Sequence, residues 1–114
     1  MAQEGKFFDN IALTTDRSAV GIPNRFASGL SIASYITGTP VGSLIVEGSN
    51  DLVLNPVDIA ESSWIEITPY TEAITTAINI MTFIDNLRCK WIRLRYDYTS
   101  GSGFITSTYY SARR

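Results

Sequence analysis

The fold turns on the stretch Lys90-Trp91-Ile92-Arg93-Leu94-Arg95-Tyr96-Asp97-Tyr98. Ile92, Leu94, Tyr96 and Tyr98 fall on one side of it, and Trp91, Arg93, Arg95 and Asp97 on the other. That period of two is the mark of a half-buried strand. Ser100-Gly101-Ser102-Gly103 follows, a run of turn residues, and then a second strand-like segment from Phe104 to Tyr110 closes the sheet.

Working outward, the same grammar repeats. Phe7 to Leu13 reads as a strand or arm. Phe26 to Thr37 sets Leu30, Ile32 and Ile36 against Ser31, Ala33 and Tyr35. Val41 to Gly48 places Leu44 and Val46 together, and the intervening Thr37-Gly38-Thr39-Pro40 reads as the turn of a hairpin. Trp64 to Thr68 is short. Glu72 to Met81 fits a helix through Ala73, Ala77 and Met81, or a strand with Ile74, Thr76, Ile78 and Ile80 on one face; its β-branched density favours the strand. Turn residues punctuate these runs at short intervals. The pattern predicts an all-β, jelly-roll-like β-sandwich of about seven or eight mostly antiparallel strands. It would be a single domain over residues 1–114, with 1–10 a possible N-terminal arm.

Composition narrows the chemistry. The chain has 114 residues, 45% hydrophobic and 18% charged, one cysteine and no histidine. Ser-His-Asp and Cys-His catalysis and His-based zinc sites are excluded, and so is an internal disulfide. No apolar run approaches a membrane span and no export signal opens the chain, so neither a membrane nor Sec-type export is expected. The net charge of −2 does not suggest a nucleic-acid partner. Its distribution is uneven: three basic residues stand against ten acidic ones up to residue 87, and six against one thereafter. A basic C-terminal strand facing an acidic surface on another protein would account for this, and so would chance clustering.

Candidate sites follow from these patterns. Asp51, Asp58 and Glu61, with Asn50 and Asn55, could offer oxygens to calcium, but the spacing is not that of an EF-hand, and a solvated acidic loop is the simpler reading. Glu66 beside Trp64 is the best carboxylate for glycosidase chemistry, yet no second acid is marked out with it. Cys89 reads as a small apolar group, since no imidazole is present to activate it. Neither catalytic nor metal-ligating residues are assigned, and no cofactor is expected. An outward Trp91 among Arg93 and Arg95 suits a protein interface, or a stacked sugar. Phe7 and Phe8 could anchor an arm on a neighbour or cover this domain's own core. Tyr109, Tyr110, Arg113 and Arg114 form an aromatic and basic end with the same ambiguity.

Gly38-Thr-Pro-Val-Gly-Ser-Leu-Ile-Val-Glu-Gly-Ser-Asn-Asp51, then Trp64, then Trp91-Ile-Arg-Leu-Arg-Tyr96 with Ser100-Gly-Ser-Gly-Phe104, resembles small β-sandwich proteins among the structural proteins of tailed bacteriophages. The likeness spans roughly residues 26–110 and rests on turn chemistry plus core pattern. A strand ending in Gly48-Ser-Asn-Asp51 is also similar to discoidin-type carbohydrate- or lipid-binding sandwiches, and in isolation reads as a left-handed-capable turn. The phage resemblance implies a virion component made in the bacterial cytoplasm. Such a protein would be a capsid decoration protein, or a neck or tail piece, contacting the major capsid protein or other virion proteins. It would be a homo-oligomer, with a trimer the usual arrangement at capsid three-fold positions. A carbohydrate-binding module, with Trp64 or Trp91 and Tyr35 holding a glycan, is the alternative from a different class.

Overall fold

The alternation resolves into two antiparallel sheets packed face to face. The computed structural model describes residues 2–24, 29–84 and 89–113, and the side chains of these apart from 2, 3, 68, 112 and 113. The strands are β1 (Ala2–Ala12), β2 (Arg17–Ser18), β3 (Ile22–Pro23), β4 (Gly29–Gly38), β5 (Val41–Ser49), β6 (Ile65–Glu66), β7 (Glu72–Ile74), β8 (Ile78–Ile84), β9 (Trp91–Ser100) and β10 (Gly103–Arg113). Short 3₁₀ turns at Pro56–Asp58, Glu61–Ser63 and Thr68–Tyr70 are the helical segments among the described residues.

One sheet runs β1-β10-β4-β8 and the other β2-β9-β5-β6, with β3 also on β9 and β7 also on β5. Taking β2 with β3, and β6 with β7, as two interrupted strands leaves eight. Their orders are then first-eighth-third-sixth and second-seventh-fourth-fifth, which is the jelly roll. The ambiguous Glu72–Met81 segment is strand, as its β-branched residues suggest, but it is broken. Ile74 ends β7 in one sheet, and the chain crosses at residues 75–77 to begin β8 in the other.

The same topology corrects the hairpin. β4 and β5 do not pair; Thr37 to Pro40 carries the chain from one sheet to the other, and Ser100 to Gly103 does so between β9 and β10. Both turns need glycine at positive φ, 87° at Gly38 and 77° at Gly101, where other residues are strained. They also interlock: Thr39 N–H donates to the Ser102 carbonyl at 2.8 Å.

The core lies between the sheets. Leu30, Ile32 and Ile36 of β4 meet Leu44, Val46, Ile92, Leu94 and Tyr96 of the opposite sheet. The N-terminal segment joins it rather than forming a free arm, since β1 pairs with β10 from Ala2↔Arg113 to Ala12↔Phe104. A bulge between Lys6 and Phe8 breaks the alternation, so the consecutive Phe7 and Phe8 both reach the interior. Phe7 packs on Tyr110 with ring centroids 4.9 Å apart. These phenylalanines therefore cover this domain's own core.

Candidate functional site

The two outer faces of the sandwich have opposite characters. On the β2-β9-β5-β6 sheet, Trp91, Arg93 and Arg95 do point away from the core, as alternation requires, but the face is not open. Residues 50–64 fold back across it, and Ile59 and Trp64 close with Trp91 into a second small hydrophobic cluster. Trp91 is 7% exposed and Arg93 5%. The Trp91 indole donates to the Asp51 carbonyl at 3.1 Å. The expected Trp91–Arg93–Arg95 contact surface is thus covered by the chain itself at Trp91 and Arg93, while Arg95 keeps a quarter of its side chain exposed, and the two tryptophans are withdrawn from any glycan.

Beneath that loop is an ion-pair network. Arg93 Nε donates to Glu47 at 2.7 Å, and its two terminal nitrogens donate to the two oxygens of Glu61 at 3.0 and 2.7 Å. Its guanidinium also lies over the Trp64 ring, 4.6 Å from the centroid. Arg95 bridges Glu47 at 3.2 Å and Asp97 at 3.7 Å. The basic strand therefore meets acidic residues of its own chain. Burial pulls the Arg93 pKa down, but the hydrogen bonds and charges of Glu61 and Glu47 outweigh it and leave it raised. The Glu61 carboxyl is held below its ordinary value, chiefly by its hydrogen bonds to Arg93, against a smaller opposing effect of burial. Glu47 gave no signal in the sequence: it is one acid inside an apolar strand, and only its register opposite Arg93 reveals its role.

Three of the five candidate calcium ligands are engaged elsewhere. Asn50 Oδ1 accepts from Lys90 N–H at 2.9 Å, Asn55 Oδ1 caps the Pro56–Asp58 turn, and Glu61 holds Arg93. Among the described residues no three Cys, Asp or Glu side chains converge as a metal site. Trp64 is buried while Glu66 is exposed and accepts from the Thr71 hydroxyl at 2.7 Å. Gly48-Ser49-Asn50-Asp51 does not make the left-handed turn anticipated for it. Gly48 and Ser49 lie in β5, and a Cβ on Gly48 would stand 2.7 Å from Cys89 Sγ. Cys89 is half-buried there, and burial pushes its thiol pKa up.

The outer face of the β1-β10-β4-β8 sheet is open. The strand register lays out its rows: Lys6, Tyr109, Ala33 and Met81; Glu4, Ser111, Ser31 and Phe83; Asp9, Ser107, Tyr35 and Asn79. Phe83 is 70% exposed, Met81 53%, Tyr109 46% and Tyr35 38%. Tyr35 and Tyr109 meet edge to face at 6.1 Å, and Lys6 Nζ sits 5.1 Å above the Tyr109 ring. The small residues Ala33, Ser31 and Ser111 between the large ones leave a shallow groove of about 540 Å³. Of the sequence candidates, Tyr109 stands on this face, Phe7 and Phe8 lie under it, and Arg114 and the Arg113 side chain fall outside the described residues. Met81 and Phe83 were missed. The available signal was that β8 is apolar on both faces, with Ile80 and Ile84 inward and Met81 and Phe83 outward.

No protein-family model matches the chain, and no curated protein matches it.

Proposed function

We propose that the protein is a non-catalytic structural component of a tailed-phage virion, a capsid decoration protein that binds the particle through the open face of the four-stranded sheet. The observation that carries this reading is the exposure of Tyr35, Met81, Phe83 and Tyr109 together on one sheet face. Large apolar side chains gathered at a surface are the ordinary sign of a contact partner, and aromatic residues dominate the energy of such contacts. Absence of histidine from the chain, and the engagement of the buried Glu47 by Arg93 and Arg95, favour work by surface fit over turnover. Jelly rolls serve in viral capsids as well as in lectins. The virion placement itself is supported by the sequence resemblance.

Antibody labelling of purified particles under the electron microscope tests the proposal and separates head from neck and tail. The wild-type chain should label the head and rebind to stripped particles; the Tyr35→Ser/Tyr109→Ser double variant should rebind poorly while remaining folded. A protein found free in the lysate and never on particles overturns it.

Carbohydrate binding has one observation of its own: the groove beside Tyr109 is flanked by Glu4, Lys6, Ser31 and Ser111, hydrogen-bonding groups next to an aromatic ring. A glycan array read with the same double variant decides it.

A further inference from the structure

Edges of sheets carry unpaired backbone groups, and proteins that stay monomeric guard them with charge, proline, bulges or brevity. Among the described residues the two sheets have four edges, and three of them are guarded. β1 bears Glu4, Lys6 and Asp9, a bulge between Lys6 and Phe8, and Asn10 at a φ of 52°. β2 and β3 are two residues each and include Arg17 and Pro23, while β6 and β7 are two and three residues. The fourth edge, β8, has none of these devices. It is seven residues, Ile-Asn-Ile-Met-Thr-Phe-Ile, without charge, proline or glycine, and it pairs with β4 from Ile84 to Ile78 without a register shift. Such a segment has the composition of a strand that adds to another strand.

We infer that β8 is a docking edge for a second copy of this chain, the two β8 strands pairing antiparallel about a two-fold axis at Met81. In that register Ile78 stands opposite Ile84 of the other copy, Asn79 opposite Phe83, and Met81 opposite its own counterpart. All seven residues pair, no like charges meet, and the interface is self-complementary as two-fold symmetry demands. The two four-stranded sheets become one continuous sheet, and their open outer faces run on side by side. The resulting assembly is even-numbered, in place of the trimer implied by the resemblance. This goes beyond the virion reading and stands or falls without particles, because its test uses the purified chain alone.

The test is the mass of the purified full chain by sedimentation across a concentration series. The wild type should approach twice its 12.6 kDa. Met81→Lys, which sets two ammonium groups against each other at the axis, should weaken association at least about tenfold. Asp9→Lys on the guarded edge should leave it unchanged. Met81 is 53% exposed, so circular dichroism should report an intact fold in the lysine variant. As a second measurement, Met81→Cys in a Cys89→Ser background should oxidise to a disulfide-linked dimer, since directly opposed residues on antiparallel strands lie within disulfide reach. A wild type that stays monomeric, an odd-numbered mass, a dimer indifferent to Met81→Lys, or failure of the cysteine pair to link would each overturn the inference. A monomer that captures a strand of another protein through β8 would overturn it too.

Discussion

Arg93 is held by two carboxylates of very different exposure, and the consequences of removing each partner differ accordingly. Glu47 is buried, so Arg93→Ala leaves a carboxylate inside with Arg95 alone to answer it. Breaking a buried pair in this way costs about 3 kcal/mol, readable as a lowered denaturant midpoint. Glu61 is largely solvent-facing, and Glu61→Gln should cost no more than about 1 kcal/mol at neutral pH. Its effect shows in acid. Because the folded-state pKa of Glu61 lies below the ordinary value of 4.5, its stabilisation is present above that value and is lost as the pH falls through the folded-state one. Acid titrations of stability should therefore be shallower in Glu61→Gln than in the wild type. At the centre of the core, the Tyr96 hydroxyl is buried and finds no hydrogen-bond partner among the described residues. Tyr96→Phe removes an unsatisfied group and should raise stability by about 1 kcal/mol. Alternation put Tyr96 inside and Arg93 outside correctly. It carried no information on which of the outside residues another part of the chain would cover, because a non-periodic loop has no pattern to show where it lies.

At the scale of elements, the strands were legible and their partners were not. Period-two patterns mark a half-buried ribbon whichever sheet it belongs to, so β4, β5, β9 and β10 could be read from their own residues. A tight turn between two such ribbons looks the same whether it folds a hairpin or steps between layers. Here both glycine turns step between layers, and they touch. A Cβ on Gly38 would stand 2.6 Å from the Gly103 Cα, and one on Gly101 would run into the Thr39 carbonyl. Gly38→Ala and Gly101→Ala each add left-handed strain of roughly 1–2 kcal/mol before that crowding is counted. Each should lower the melting temperature by several degrees, and the double variant by less than the sum, since one relaxed turn frees the other. Additive losses would show that the two turns are independent. The break in the Glu72–Met81 segment has the same origin. Ile74 and Ile80 both belong inside, but in different sheets, and residues 75–77 reorient the chain between β7 and β8.

For the whole molecule, the asymmetry between its two outer faces is the feature on which the proposed function rests. One face is sealed by residues 50–64 and a second small core; the other is left bare. Substitutions on the bare face should be nearly silent in isolation: Tyr109→Ser should shift folding stability by within about 0.5 kcal/mol, measured by chemical denaturation, while impairing attachment to particles. A loss of stability comparable to a core truncation would show the face to be structural instead. The pairing of β1 with β10 has a different kind of consequence, one of timing. Ala2 lies opposite Arg113, so β1, synthesised before the other strands described, must wait for residues 103–113. At roughly 5–20 residues per second that wait lasts several seconds. Throughout it, Phe7 and Phe8 have no sheet to enter, and a nascent chain stalled before residue 103 holds both rings where a chaperone can seize them.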